Sequence, residues 1–301
     1  ATANRWARLL RGLGHRVNVI VDYAGESADL MIALHAWRSA SAIRDFEQRY
    51  PDRPLVVVLT GTDAYRFIHS HRQETEGSLT RADRIVGLHT LIGDAIPQRY
   101  RDKLRVIYQS ARPLAGRQIP KRFFRVCMAG HLREEKDPLR PALAARDLPL
   151  HSRIRIDAYG KAHTPQWAAL AAAEAVHNPR YHWHGEIGHA QLRQVYRRSH
   201  LLVLSSRMEG GANVVSEAVM AGLPVVASAI PGSIGLLGSD YPGYYPVEET
   251  QALRELLLHA ESDAAFYARL QEACEHRRHL FSEQAERRGW SDLLAELATG
   301  K

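Results

Sequence analysis

SSRMEGGANVVSEAVMAGLPVVAS, residues 205–228, predicts a loop and a short apolar helix between two buried strands. Glu209 lies on the loop beside Gly210 and Gly211, and Glu217 lies in the middle of the helix. A helix that begins after a glycine-containing turn favours an anion, because its free N–H groups and its dipole both attract negative charge. The stretch therefore predicts a phosphate group at the start of this helix.

The same helix carries a carboxylate that needs a partner. Valines and alanines surround Glu217, and a buried carboxylate without a partner is costly. Asn213 and Glu217 are four residues apart, so they share one face of the helix. Because an ionised carboxylate accepts two hydroxyls at once, Glu217 suits the hydroxyl pair of a ribose, and Glu209 would face what extends beyond the phosphates. From these residues alone, the alternative is an exposed Glu217 and a simple turn at Glu209.

Strand-like and helix-like patterns alternate along the whole chain, which is typical of βαβ units and a parallel sheet. One series of predicted strands covers residues 16–21, 30–34, 54–60, 84–88 and 104–108. A second series covers residues 124–130, 153–160, 181–185, 201–206 and 224–228. The predicted fold class is α/β, with two facing doubly wound, Rossmann-like domains joined near residues 112–122. Ligands of such sheets bind at the carboxyl ends of the strands, so we expect the site in an inter-domain cleft.

Length and composition fit a globular protein of two domains. A chain of 301 residues is too long for a single ordinary hydrophobic core. It is 45% hydrophobic and 24% charged, which are ordinary fractions for a globular protein. We expect no secretory signal, and no apolar run approaches the ~20 residues that a membrane helix needs. Cys127 and Cys274 provide no disulfide framework. We therefore expect a cytoplasmic protein without a membrane partner.

The net charge of +7 indicates an anionic partner. The basic residues are scattered, whereas a nucleic-acid-binding protein usually has a basic block or a known motif. We therefore expect small phosphorylated molecules and no nucleic acid. The closest histidine pairs, His69 with His71 and His182 with His184, have no suitably placed third ligand, so we expect no metal.

The two glutamates also match a family motif. Glu209 and Glu217 have the E-x7-E spacing of the retaining nucleotide-sugar glycosyltransferases of GT-B fold, the glycogen-synthase-like group, and AGLPVVAS (221–228) and GYYPVEETQALRELL (243–257) resemble the segments that follow. The resemblance implies that Glu209 contacts the donor sugar and Glu217 the ribose of a UDP-type donor. That family reads E-G-x-G where this chain reads EGGAN, so Ala212 and Asn213 leave room for different sugar contacts.

A second segment, MAGHLREEKDP (128–138), resembles the G-R-L-x-x-x-K segment of that family. Lys136 falls on the family lysine, which implies that it neutralises the diphosphate. His131 stands at the family arginine position, and Arg133 is assigned the role of that arginine. From spacing alone, a solvated helix start explains Lys136 and Arg133 equally well. The predicted donor-binding residues are Gly130, His131, Arg133, Lys136, Arg207, Glu209, Gly210, Gly211, Ala212, Asn213 and Glu217.

Longer motifs resemble one subgroup of these glycosyltransferases. LMIALHAWRSASAI, VLTGTDAYR, AGHLREEKDP, SSRMEGGANVVSEA and IPGSIGLLGSDYPGYYPV together resemble the selenosugar synthases of selenoneine biosynthesis, over residues 4–298. The resemblance implies a carbon–selenium bond between selenophosphate and the sugar of UDP-N-acetylglucosamine, or another UDP-hexose, with release of UDP and phosphate. It also implies no cofactor and no metal, and a functional link to the enzymes that supply selenophosphate and complete selenoneine.

The predicted domains are residues 1–114 on the acceptor side, residues 115–285 for the nucleotide sugar, and a C-terminal helix, 286–301, that packs back on the first domain. The family has a strand and a glycine-containing loop before the helix with which this chain begins, so we expect further acceptor contacts from that region.

Polar residues follow two predicted strands of the first domain, where a small trianion would bind. The predicted acceptor-binding residues are His35, Arg38, Ser39, Gly61, Thr62, Asp63 and Arg66. The alternatives are a structural histidine at His35, a helix N-cap at Asp63 and solvated surface for the arginines. The predicted catalytic residues are Glu209, Lys136, Arg133 and His35.

Two other functions are compatible with the sequence. One is a UDP-sugar-dependent glycosyltransferase with an ordinary hydroxyl acceptor, which would need a general base. The other is a basic, non-catalytic protein that binds nucleotides or nucleic acid with salt-sensitive affinity. The glutamate pair argues against the second, because simple binding has no need of Glu209.

Overall fold

A computed structural model describes residues 2–299 of the chain. The strands are β1 (Met31–Leu34), β2 (Leu55–Val58), β3 (Arg84–Gly87), β4 (Leu104–Val106), β5 (Phe124–Ala129), β6 (Ile154–Tyr159), β7 (Tyr181–Trp183), β8 (Leu201–Leu204), β9 (Val225–Ser228) and β10 (Tyr244–Tyr245). The α-helices are α1 (Thr2–Arg11), α2 (Ala40–Arg49), α3 (Ile68–Ser70), α4 (Arg72–Arg81), α5 (Arg140–Ala145), α6 (Pro165–His177), α7 (His189–Arg198), α8 (Asn213–Met220), α9 (Pro231–Leu237), α10 (Thr250–Ser262), α11 (Ala264–Arg277) and α12 (Glu283–Thr299).

The chain forms two compact units. Unit 1 contains the residues up to Gln109 together with those from Glu283, and unit 2 spans Ser110–Ser282. Each unit is built on a parallel sheet with helices between its strands, which confirms the α/β class. Within the described residues, no helix is both long and apolar enough to cross a membrane.

Unit 1 has a four-stranded parallel sheet in the order β1-β2-β3-β4. Because side chains alternate across a strand, β2 supplies two cores. Leu55 and Val57 join one hydrophobic cluster, and Val56 and Val58 join the other. The second cluster includes Trp6 of α1 and Trp290 of α12, whose rings meet edge to face with centroids 5.0 Å apart. The last helix of the chain thus completes the core of the unit that contains the first helix.

The predicted strand at residues 16–21 is wrong. This segment is irregular, and Val21 at its end is 96% exposed. A β-branched run becomes a strand only where a neighbouring strand supplies ladder hydrogen bonds. Within residues 2–299, β1 pairs with β2 alone and residues 16–21 pair with no strand, so the local preference is not realised.

Unit 2 has a six-stranded parallel sheet in the order β10-β9-β8-β5-β6-β7. From β5 the chain runs outward through β6 and β7, returns to β8 on the other side of β5, and continues outward to β9 and β10. The strand order therefore reverses between β5 and β8. Ligands of open α/β sheets bind at such a switch point, beyond the carboxyl ends of the two strands. The loops that follow β5 and β8 are residues 130–139 and 205–212.

Candidate functional site

Hydrogen bonds join the two loops at the switch point of unit 2. The N–H of Arg207 donates to the carbonyl of Glu135 at 2.8 Å. The hydroxyl of Ser205 donates to the carbonyls of Lys136 and Asp137 at 3.0 and 2.9 Å. Asp137 has a left-handed backbone, with φ of 43°, which turns the chain back after the short helical segment 134–136. The loop after β8 thus fixes the position of Lys136.

Lys136 and Glu209 form an ion pair between the two loops. Glu209 is buried, and its Oε1 also accepts a hydrogen bond of 2.6 Å from the hydroxyl of Ser206. Gly232, in α9, packs directly against Glu209: a Cβ at this glycine would lie 2.3 Å from the Glu209 carbonyl oxygen. Backbone packing and two side-chain contacts therefore hold this carboxylate in one place.

Helix α8 begins just beyond this ion pair. Gly211 has φ of 155°, Ala212 precedes the helix, and Asn213 is its first residue. The N–H groups of a first helical turn have no acceptor within the helix. The side-chain oxygen of Asn213 is buried and finds no hydrogen-bond partner within residues 2–299. The start of α8, which follows Glu209 by four residues, thus has N–H donors of the first turn and the Asn213 oxygen as an acceptor.

The carboxylate in the middle of α8 has two partners on α7. The hydroxyl of Tyr196 donates to Glu217 Oε2 at 3.0 Å, and His189 Nε2 lies 3.2 Å from Oε1. Burial raises the pKa of Tyr196 well above its ordinary value, and the neighbouring Glu217 raises it further, so the phenol keeps its proton and donates. The Glu217 side chain remains 19% exposed. The prediction of a paired glutamate did not identify Tyr196 or His189, although their spacing of seven residues places both on one helix face.

Glycines bring the loops after β5 and β6 into contact. A Cβ at Gly160 would lie 1.9 Å from the carbonyl oxygen of Gly130, so the two backbones touch at a point that only glycine allows. His131 follows on the exposed side, and its ring stacks on that of His163 with centroids 6.2 Å apart. The structure therefore places Gly130 in the loop that carries Lys136 and leaves His131 at the surface.

The two arginines predicted to bind the donor, Arg133 and Arg207, lie near carboxylates of this chain. Arg133 Nε lies 3.9 Å from Glu135 Oε2. Arg207 forms an ion pair of 2.6 Å with Glu248 and a longer one of 3.4 Å with Glu134. These pairs occupy part of each guanidinium, so a donor phosphate would compete with them. Lys136 differs because its own partner, Glu209, belongs to the predicted donor site.

Unit 1 gathers polar groups where β1 and β2 end. His35 follows β1, and Asp63 follows β2 and begins a π-helical turn, Asp63–Phe67. Turns of this kind are frequent at functional sites. His35 Nδ1 lies 3.0 Å from Asp63 Oδ1, and the hydroxyls of Thr60 and Thr62 are 3.1 Å apart beside them. These residues form one polar group at a single sheet edge.

The other residues predicted to bind the acceptor surround this group. Gly61 lies between the two threonines and is partly exposed. Ser39 is engaged locally, because its hydroxyl donates to the carbonyl of Leu34 at 2.7 Å. Arg38 is exposed, and the guanidinium of Arg66 lies 6.0 Å from the centroid of the Phe67 ring.

Asp63 does not fit the predicted direct contact with the acceptor. It is fully buried, and both of its carboxylate oxygens accept hydrogen bonds from this chain. Burial acts to raise the pKa of Asp63, but the hydrogen bonds from His35, Thr60 and Trp37 outweigh it and hold the pKa below its usual range. Asp63 is therefore an ionised group that faces protein donors.

His182 and His184, one of the two histidine pairs of the sequence, have contacts within unit 2. His184 Nε2 lies 2.9 Å from the buried carboxylate of Asp157, and the rings of His182 and His184 stack at 6.4 Å. Across the part of the chain that the structure describes, no group of three histidine, cysteine, aspartate or glutamate side chains is arranged to hold a metal ion.

A protein-family model matches the chain and identifies its family. The family described as "Glycosyl transferases group 1" matches residues 115–277, which is more than half of the chain. The chain is a group 1 glycosyltransferase. No curated protein sequence matches it. In this group 1 glycosyltransferase the matched range contains Lys136 and Glu209 of the two switch-point loops and Glu217 of α8.

Solved structures share the fold of this glycosyltransferase. HepE (Alr3699) from Anabaena, solved in complex with UDP and glucose, has a TM-score of 0.73 and 17% identity, covering 89% of this chain and 78% of its own. Sucrose-phosphate synthase (tll1590) from Thermosynechococcus elongatus has a TM-score of 0.74 and 19% identity, covering 91% and 74%. A glycosyltransferase from Rickettsia africae has a TM-score of 0.71 and 14% identity, covering 99% and 81%. This likeness confirms the predicted GT-B class.

Proposed function

We propose that this glycosyltransferase transfers the sugar of UDP-N-acetylglucosamine to selenophosphate and is a selenosugar synthase of the SenB type. The observation that carries the donor half is the Lys136–Glu209 ion pair beside the start of α8, with Glu217 held by Tyr196 one turn further on. HepE, which shares the fold, was solved with UDP and glucose. The motif resemblance over residues 4–298 supports the selenium acceptor.

The donor would bind with its diphosphate at the start of α8. An ammonium group has three N–H donors, so Lys136 can keep Glu209 and still donate to the diphosphate. Positive charge fixed at this point stabilises UDP as it leaves with its electron pair. Glu209 orients the sugar. A carboxylate has about four lone-pair sites, so Glu217 can accept from Tyr196 and also hold the two ribose hydroxyls.

The acceptor step forms one bond and breaks one. A selenium lone pair of selenophosphate attacks the anomeric carbon as the bond from that carbon to the UDP oxygen breaks. Water then cleaves the selenium–phosphorus bond, which releases phosphate and leaves the selenium on the sugar. Because the selenium is already anionic, this attack needs no general base. His35, Arg38, the threonine hydroxyls and the backbone at Gly61 would bind the anion in unit 1.

No metal or cofactor takes part in this proposal, and Lys136 with the α8 start supplies the charge that a metal would supply. The substrates are small molecules. A reaction that makes selenophosphate must precede this one, and a reaction that uses a selenosugar must follow it. These steps agree with a cytoplasmic enzyme of selenoneine biosynthesis.

One observation favours a second candidate, a UDP-sugar glycosyltransferase with a hydroxyl acceptor. The His35–Asp63 pair has the arrangement of a general base and the carboxylate that orients it. A hydroxyl acceptor needs such a base, since the neutral hydroxyl is a weak nucleophile.

The deciding experiment mixes the full chain with UDP-N-acetylglucosamine and fresh selenophosphate without oxygen, and follows UDP release and product mass. Selenophosphate-dependent UDP release, with a selenium isotope pattern in a sugar product, is the expected result. Glu209→Gln, the variant of the proposed site, should lose this UDP release. Glu174→Gln, the matched control, should keep it, because Glu174 is also buried in unit 2 but pairs with Arg146. UDP release only with a hydroxyl compound would favour the second candidate and overturn the selenium acceptor.

A further inference from the structure

We infer that Asp63 is a positioning residue, which fixes the ring of His35 with its proton on Nδ1 and leaves Nε2 as the nitrogen that meets the acceptor. The contact of His35 with an acceptor rests on the proposed function. The orientation of the ring rests on geometry within unit 1 alone.

Hydrogen-bond donors saturate the Asp63 carboxylate. Its Oδ1 lies 3.0 Å from His35 Nδ1 and accepts from the N–H of Trp37 at 3.1 Å. Its Oδ2 accepts from the N–H and the hydroxyl of Thr60, at 3.0 and 2.8 Å. Three of these contacts, from the N–H of Trp37 and from the N–H and hydroxyl of Thr60, are donors whatever the tautomer of His35. They favour an ionised Asp63, and an ionised carboxylate only accepts. The shared proton of the pair therefore resides on His35 Nδ1.

The Thr60 hydroxyl does not donate to the second ring nitrogen of His35. Its hydroxyl oxygen lies 3.2 Å from Nδ1 and 3.3 Å from Nε2 of His35. A hydroxyl has one proton, and the shorter contact, 2.8 Å, directs that proton to Asp63 Oδ2. The neutral His35 ring thus keeps the Nε2 lone pair free of Thr60. When protonated, the same ring presents an N–H at Nε2.

The backbone of His35 has an unusual conformation that contacts within unit 1 hold in place. Its N–H still donates to the carbonyl of Val58 at 3.1 Å, in line with β1, yet its φ is 79°. A left-handed backbone is uncommon for a residue other than glycine, and it persists where surrounding contacts hold it. The Asp63 carboxylate and the ladder bond to Val58 are those contacts. Together they aim the ring away from the direction that a continuing strand would give it.

Nitrogen NMR of the full chain tests the ring orientation without any substrate. Labelled histidine gives a signal for each ring nitrogen, and the His35→Gln variant identifies the signals of His35 by their loss. At a pH where the ring is neutral, we expect the proton on Nδ1. A neutral His35 that carries its proton on Nε2 would overturn the inference, whatever acceptor the enzyme uses.

A double-mutant cycle tests the role in turnover. Asp63→Asn keeps the shape of the side chain and should lower kcat on the order of 10²-fold, because the His35 ring is no longer held in place and a displacement of about 1 Å in the site can cost that much. In the His35→Gln background the same change should cost less than about 2-fold, because Asp63 acts through His35. An equal loss in both backgrounds would mean a purely structural Asp63.

Asp83→Asn is the matched control. The carboxylate of Asp83 accepts the N–H of Leu55 at 2.7 Å, at the start of β2 in the same sheet, and no histidine ring is part of that contact. This change should lower the Tm but leave the tautomer of His35 and the kcat as they are. The rate is read as UDP release with whichever acceptor the wild type uses, so a failure with selenophosphate alone would overturn the proposed acceptor and not the positioning role.

Discussion

Lys136 and Glu209 form an ion pair although 73 residues separate them in the chain. The strand order explains this contact, because β5 and β8 are neighbours in the sheet and each residue lies on the loop that follows one of these strands. The pair is mostly buried, with the lysine 19% and the glutamate 8% exposed. It joins the charge that would receive a diphosphate to the carboxylate that would orient a sugar.

Lys136→Met should lower kcat by about 10²-fold or more, because it removes the positive side chain that would stabilise the leaving diphosphate in the proposed reaction. It should also lower the Tm, since it leaves the Glu209 carboxylate buried without its counter-charge. Adding Glu209→Gln should restore part of the Tm but none of the activity. UDP release and thermal unfolding measure the two effects. A Lys136→Met enzyme with wild-type kcat would exclude the assigned role.

Tyr196→Phe should raise the KM for the UDP-sugar by about 5- to 10-fold with little change in kcat. The phenol donates to Glu217 at 3.0 Å, and one such bond contributes about 1 kcal/mol. Tyr181→Phe is a matched control, because Tyr181 is as deeply buried in unit 2 and its hydroxyl has no hydrogen-bond partner within residues 2–299. Steady-state kinetics of both variants decide the point. A KM that rises equally in both would show a general packing effect.

Gly232→Ala should lower kcat because the new methyl group would lie 2.3 Å from the carbonyl oxygen and 2.8 Å from the Cβ of Glu209. Neither is the end of a flexible side chain, so the Glu209 loop has to shift. A displacement of about 1 Å at a catalytic group can cost on the order of 10²-fold in rate. Gly77→Ala, in α4, is the control, since its nearest neighbour is the flexible end of Arg81. Retained kcat in Gly232→Ala would mean that Glu209 needs no exact position.

The sequence predicts which sheet edge carries the candidate site of unit 2, and the reason is local. Strand β8 is a continuous apolar run and β5 is apolar apart from Arg125, and the glycines and charges after them mark where the strands end. Glu209 and Glu217 could therefore be named as candidates before any contact was known, and Lys136 was added through the family resemblance. Helix α9 was not predicted, because PGSIGLL combines proline and glycine as turns do; here the proline is the first residue of the helix, where it needs no hydrogen bond.

Contacts between distant residues could not be predicted in the same way. In the sequence Tyr196 occupies one apolar position of a predicted amphipathic helix, and nothing near it predicts its contact with Glu217. The burial of Asp63 was missed for a similar reason, because its donors come from two strand ends that meet only in the folded sheet. The segment 16–21 shows the opposite failure, in which local preference was clear and a partner strand was lacking among the described residues.

His89 should make the stability of unit 1 depend on pH. It is fully buried, and burial lowers its pKa from 6.5 to about 4. Between those values the unfolded chain binds more protons than the folded one, so stability is complete above pH 6.5 and is lost as the pH falls toward about 4. Each pH unit in this window costs up to about 1.4 kcal/mol of unfolding free energy.

Hydrogen exchange of amides in β2 and β3 reports this loss of stability for unit 1 alone. His89→Gln should flatten the dependence, whereas His69→Gln, which removes an exposed histidine of the same unit, should leave it unchanged. A slope that persists in the His89→Gln variant would assign the pH dependence to other groups.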